Sequence, residues 1–116
     1  LAYSPLGMGT LSGKYLASKP PARGRLTLFP HYQRYTNPQA LTATRAYVAL
    51  ARAHGLSPAA MAIAFVASRP FVTSVLVGAT TPDQLEETLT AATLRLDQAV
   101  LDGLEAIHTA TPNPAP

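Results

Sequence analysis

Apolar positions change their period several times along this chain, and each change marks an element. Leu41, Val48 and Ala51 recur at helical spacing, Asn37 can cap before Pro38, and Gly55 supplies a stop; a helix is predicted from Pro38 to about His54. Ser57-Pro58 opens another, Ala59 to about Ser68, which is apolar nearly all round (Met61, Ile63, Phe65, Val66) and therefore expected between layers. Arg69-Pro70 ends it. Val75, Leu76 and Val77 form an apolar, β-branched run, predicting a strand over 73–77 that stops at Gly78, where a side chain is expected to obstruct a tight turn. Helix follows at once: Thr81 suits the N-cap, Pro82 the first helical position, and Gln84 stands three residues after the cap, predicting a helix from 82 to about 92. Asp97 caps a last helix whose apolar face is Val100, Leu101, Leu104 and Ile107, and the proline-rich ending TPNPAP cannot extend it. At the other end Leu1-Ala2-Tyr3 reads as the close of a strand, with Ser4 to Gly9 as its loop. Residues 18–37 carry three prolines and no period, and are expected to be one long loop.

The order strand, loop, helices, strand, helices predicts an α/β protein with parallel strands and helical crossovers. Two parallel strands alone leave both edges open and bury little, so the chain is expected to be part of something larger. A (β/α)8 TIM barrel takes about 250 residues and frequently holds phosphate with the loops after its last two strands. This chain supplies two such loops.

The segment Thr73 to Glu87 is the richer of the two. A strand that ends at glycine and turns into a capped helix aims free N–H groups and the positive end of the helix dipole beyond the strand, where an anion is the natural occupant. The plainer alternative is a well-capped crossover with no ligand.

Composition narrows the field. At 116 residues, 47% hydrophobic and 13% charged, the chain is one globular unit without charge-driven disorder. It has no cysteine, which removes disulfides, thiolate nucleophiles and thiolate metal sites, and fits a reducing, cytoplasmic setting. No apolar stretch reaches the roughly 18 residues that span a bilayer, and no basic leader precedes an apolar core. The net charge of +3 comes from scattered basic residues apart from Arg23, Arg25 and Arg34, so neither nucleic acid nor membrane is an expected partner. His31, His54 and His108 stand alone, without the spacing of metal ligands, and no metal site is expected.

Three segments together resemble the C-terminal part of an aldo-keto reductase. AYSPLGMGTLSGKY is similar to that family's seventh strand and loop, VLVGATTPDQLEETL to its eighth strand and cofactor helix, and LSPAAMAIAFVASRPFVTSVLVGAT joins them at the family's spacing. The TLF and RY elements of the long loop and the ending PAP resemble the bacterial Tas-type branch. The resemblance implies the last two strands and their helices of a TIM barrel across residues 1–116, with the N-terminal half absent. It implies NADP(H) as cofactor. Ser4, Pro5 and Leu6 match the loop lining nicotinamide and pyrophosphate, and Lys14 and Arg25 match basic positions near the phosphates. A guanidinium fork suits a doubly charged 2′-phosphate better than an ammonium does. Gly78, Thr80, Gln84 and Glu87 match the turn and helix that hold the adenosine 2′-phosphate and adenine, and Thr88 stands where the family often has asparagine. Read without the family, Lys14 is a solvated loop residue, Glu87 a surface carboxylate, and Tyr32 and Tyr35 loop aromatics; with it, the tyrosines shape the substrate mouth.

The activity implied is reduction of small-molecule aldehydes or ketones to alcohols. That chemistry needs a proton donor with a tuned pKa. The family's tyrosine, lysine, aspartate and histidine come from the first half of the barrel, and no segment here matches them, so no catalytic residue is expected. The alternative is a non-catalytic nucleotide-binding remnant or interaction subunit. Oligomeric state and substrate identity are not legible in these residues.

Overall fold

A computed structural model describes all of residues 1–116. Five helices carry the architecture: α1 (Arg25–Leu28), α2 (Pro38–Ala53), α3 (Pro58–Ala67), α4 (Pro82–Ala91) and α5 (Gln98–Ala110). Single 3-10 turns stand at Thr10–Ser12, Lys14–Leu16 and Gln33–Tyr35.

The predicted caps form. The side chains of Asn37, Ser57, Thr81 and Asp97 accept from the N–H of Ala40, Ala60, Gln84 and Val100 at 3.0, 3.2, 3.2 and 2.9 Å. Proline opens α2, α3 and α4, where the missing N–H costs no helical bond. Gly55 stops α2 by adopting φ 69°, a left-handed conformation that a Cβ disfavours. The Leu56 N–H then reaches back to Ala51 O at 2.9 Å and the Gly55 N–H to Arg52 O at 3.1 Å, a Schellman closure that satisfies two orphan carbonyls. Leu56 is thereby delivered to the core, and the chain bends by 96° between α2 and α3.

Ala51, Met61, Val100 and Leu104 form the central cluster, with Tyr47, Leu50, Phe65 and Leu101 packed around it. Thus α2 packs on α5 and α3, and α3 on α4. Its all-round apolar surface fits that position, since Ala59, Met61, Ile63 and Ala64 are all buried. Small residues permit the close approach of helices: a Cβ on Gly103 of α5 would lie 2.6 Å from Leu50 Cδ1 of α2.

The two strands are corrected by the structure. No ladder forms; Leu1–Tyr3 and 73–77 meet at one parallel bridge, Ala2 with Val75. Parallel pairing is weaker per residue than antiparallel and wants both faces covered. Here the first segment offers three residues and each segment has one partner, so extended chain remains around a single bridge.

The long loop is also corrected. Residues 18–37 contain α1 and the turn Gln33–Tyr35. Leu26 is buried, and its N–H donates to the Tyr15 hydroxyl at 3.0 Å, an anchor eleven positions upstream that no local pattern advertises. The proline-rich ending is likewise held: Asn37 Nδ2 donates to Pro114 O at 2.8 Å, and Arg34 donates to Ala115 O at 2.9 and 3.3 Å.

Candidate functional site

Because the Ala2–Val75 bridge is parallel, both chains leave it in the same direction. Ser4 follows Ala2 by two residues and Gly78 follows Val75 by three, so the Ser4 loop and the Gly78 turn emerge from one end of the molecule.

The Ser4 loop is wound tightly. Ser4, Gly7, Met8 and Gly9 have φ of 52°, 52°, 58° and 91°, a run of left-handed positions in which Ser4 and Met8 are the non-glycine exceptions. Local bonds hold it: Gly7 N–H to Ser4 O at 2.9 Å, Gly9 N–H to Leu6 O at 3.0 Å, and Leu11 N–H to Leu6 O at 3.1 Å. A Cβ on Gly9 would stand 2.9 Å from Lys14 Cε and 3.0 Å from Nζ, the flexible end of a side chain that rests over the glycine. Lys14 therefore lies across the loop. Arg25 reaches the same loop from α1, with Nη1 3.7 Å from Met8 Sδ. Tyr35 closes a third side, its ring edge 3.4 Å from where a Gly7 Cβ would stand. Two cations and an aromatic ring thus converge on residues 4–9. Tyr32 instead stacks within its own segment, 4.4 Å from the His31 ring.

The Gly78 turn is built differently. A Cβ on Gly78 would meet nothing within 4 Å, and its φ is not left-handed, which corrects the expectation that a side chain would obstruct the turn. The turn lies open to solvent, so glycine there leaves the backbone accessible and relieves no strain. Gln84 holds the turn in shape: its Oε1 accepts from both Thr80 N at 2.9 Å and Thr80 Oγ1 at 3.0 Å. The capping box is therefore shifted by one residue, reaching Thr80 in place of the cap Thr81. Thr88 is buried and its hydroxyl donates to Gln84 O at 2.8 Å. Glu87 accepts a hydrogen bond from the Ser57 hydroxyl. Electrostatically the rims differ, since α4 carries Asp83, Glu86 and Glu87 with no basic residue, whereas the Ser4 loop has Lys14 and Arg25 beside it.

The structure thus gathers the expected residues into two groups: Ser4, Pro5, Leu6, Lys14 and Arg25 on one rim, and Gly78, Thr80, Gln84, Glu87 and Thr88 on the other. Only the bridge links the groups, with no hydrogen bond between them. Sequence reasoning named Tyr35 for the substrate mouth without placing it against Gly7; it assigned no role to Met8 or Gly9 and missed the tie from Ser57 to Glu87, whose 30-residue separation leaves no periodic signal.

Beside the first rim is a cavity of about 480 Å³ whose lining includes Pro5, Leu11, Tyr47, Met61, Phe65 and Glu105. Burial, then the negative charge of Glu105, pushes the Tyr47 hydroxyl above its ordinary value of 10.0.

A model of the aldo/keto reductase family matches residues 1–109. The chain is 52% identical over 116 residues to Protein tas of Escherichia coli (strain K12), covering 100% of this chain and 34% of that protein. It is 35% identical over 116 residues to a probable voltage-gated potassium channel subunit beta of Oryza sativa subsp. japonica, covering 95% of this chain and 35% of that one. To the L-glyceraldehyde 3-phosphate reductase of Escherichia coli O157:H7 it is 33% identical over 117 residues, with 89% and 34% covered. The chain spans about a third of the length of these curated relatives. Since the family match begins before the Ser4 loop, takes in the Gly78 turn and runs nearly to the end of α5, the chain belongs to the aldo/keto reductase family.

Proposed function

We propose that this chain forms the NADP(H)-holding rim of an oxidoreductase that reduces aldehydes or ketones to alcohols by hydride transfer. The family's fold is a TIM barrel, and in this reading residues 1–116 are its C-terminal part, with about the last two strands and their helices. The observation that carries the reading is the parallel Ala2–Val75 bridge, which turns the cationic Ser4 loop and the open Gly78 turn toward the same end. Leu1, Tyr3 and Phe71 are 83%, 80% and 81% exposed, an apolar surface of the kind that further strands and helices cover.

The donor set fits a dinucleotide. Lys14 and Arg25 neutralise phosphate charge beside residues 4–9, and the Arg25 fork suits the 2′-phosphate. The open Gly78 backbone and the Thr80 to Gln84 turn admit the adenosine end. With the Thr88 hydroxyl committed to Gln84, contact with the adenine falls to Glu87, whose carboxylate accepts from an amine or a hydroxyl. When bound, the nicotinamide supplies the hydride. The proton for the nascent alkoxide comes from a group outside residues 1–116. Tyr47 is no substitute, because its environment raises its pKa where an acid catalyst needs it lowered. The reading includes a cytoplasmic setting and a small-molecule carbonyl substrate, with neither nucleic acid nor membrane as partner.

Titration of the 116-residue chain with NADPH by fluorescence tests this. Saturable binding with no carbonyl turnover is expected; absence of binding overturns it.

A second reading, a non-catalytic interaction subunit, is favoured by the similarity to a protein described as a probable channel subunit beta. It differs in outcome: a polypeptide carrying this chain together with the rest of a relative's length shows nucleotide binding without carbonyl reduction.

A further inference from the structure

We propose that Ser57 is a positioning residue for the nucleotide, acting through Glu87. The Ser57 hydroxyl does two jobs at once. Its oxygen accepts from Ala60 N at 3.2 Å and so caps α3, while its O–H donates to Glu87 Oε1 on α4. Glu87 stands one turn after Gln84, which shapes the Thr80 turn, so the carboxylate borders the open end of the second rim. No lysine or arginine pairs with it. An exposed glutamate has three side-chain torsions to restrain before it can accept from an adenine amine or ribose hydroxyl. The Ser57 hydrogen bond holds Glu87 Oε1 and leaves the other carboxylate oxygen free to accept. Side-chain ordering is thus settled before the nucleotide arrives, which strengthens binding without any contact between Ser57 and ligand.

The inference rests on the proposed nucleotide reading, and its test separates the two. NADP+ is titrated into the 116-residue chain and its variants by calorimetry, with thermal melts alongside. Ser57→Asp retains an N-cap oxygen but has no hydroxyl proton and repels Glu87; Ser57→Thr retains both functions. Expected is an affinity about tenfold lower for Ser57→Asp at little change in Tm, parent-like affinity for Ser57→Thr, and a loss for Glu87→Ala that adding Ser57→Ala does not deepen. Parent-like affinity for Ser57→Asp beside a weakened Glu87→Ala overturns the inference and leaves the nucleotide reading standing. Unchanged affinity for Glu87→Ala overturns the inference and the role given to Glu87. A parent chain that does not bind NADP+ overturns both the inference and the reading beneath it.

Discussion

Ala2 and Val75 lie side by side in parallel, fastened by Ala2 N–H to Ser74 O at 2.9 Å and Leu76 N–H to Ala2 O at 2.7 Å. Two hydrogen bonds therefore decide that loops 74 positions apart share one end of the molecule. Around that contact the backbone is extended but unpaired, and stability comes from the helices behind it.

In the proposed nucleotide reading, Arg25, whose Nη1 lies 3.7 Å from Met8 Sδ, is the residue assigned to the 2′-phosphate. Arg25→Ala is expected to weaken NADPH about tenfold and NADH little, measured by parallel titrations. Equal losses for both nucleotides show that the guanidinium does not touch the 2′-phosphate.

Asn37 caps α2 through Oδ1 and donates from Nδ2 to Pro114 O, which holds the ending, and to Arg34 O in the preceding turn, both at 2.8 Å. Asn37→Ala is expected to cost about 1–2 kcal/mol in urea unfolding. Asn37→Asp keeps the cap oxygen and loses both donated bonds, so its stability falls less while carboxypeptidase trims the last residues faster than in the parent. Equal trimming in both shows that Arg34 holds the ending alone.

Met61 is 2% exposed at the centre of the cluster shared by α2, α3 and α5. Met61→Ala is expected to cost about 2–4 kcal/mol, read as a lower urea midpoint at unchanged slope. A loss below about 1 kcal/mol means that the surrounding helices collapse onto the gap.

Tyr47 makes stability depend on alkaline pH. Its pKa is raised in the folded chain, so between about pH 10 and that raised value the unfolded chain holds fewer protons than the folded one. The contribution is complete below pH 10 and is lost as pH climbs through the folded value. Melts of Tyr47→Phe across pH 9 to 11 are expected to decline less steeply than those of the parent. Glu105→Gln is expected to reduce the parent's decline, since that carboxylate is the second cause of the shift.

The four capped helices, α2 to α5, were legible in the residues because their signals are local, whereas α1, which has no side-chain cap, was read as loop. Caps at Asn37, Ser57, Thr81 and Asp97, prolines at first positions and Gly55 at the stop act within one turn, and the observed bounds follow them within about a residue. The strands were less so. Val75 to Val77 has strand character, but pairing depends on what lies alongside, and a single neighbour supports one bridge. The same distinction divides the candidate site. Gln84 and its turn are a short-range pattern, whereas Lys14 over Gly9, Arg25 beside Met8 and Ser57 on Glu87 are contacts between segments that no spacing rule connects.

What the order of residues determined by itself was the layout of the four capped helices and the family, since both are carried by capping chemistry and motifs a few residues long. Tertiary structure decided which end the two loops share, that the long loop is anchored by Leu26 on Tyr15, and that the Glu87 carboxylate is held by the cap of another helix. Those depend on directions in space, and a hydrogen bond between distant segments exists only after packing has brought its donor and acceptor within about 3 Å.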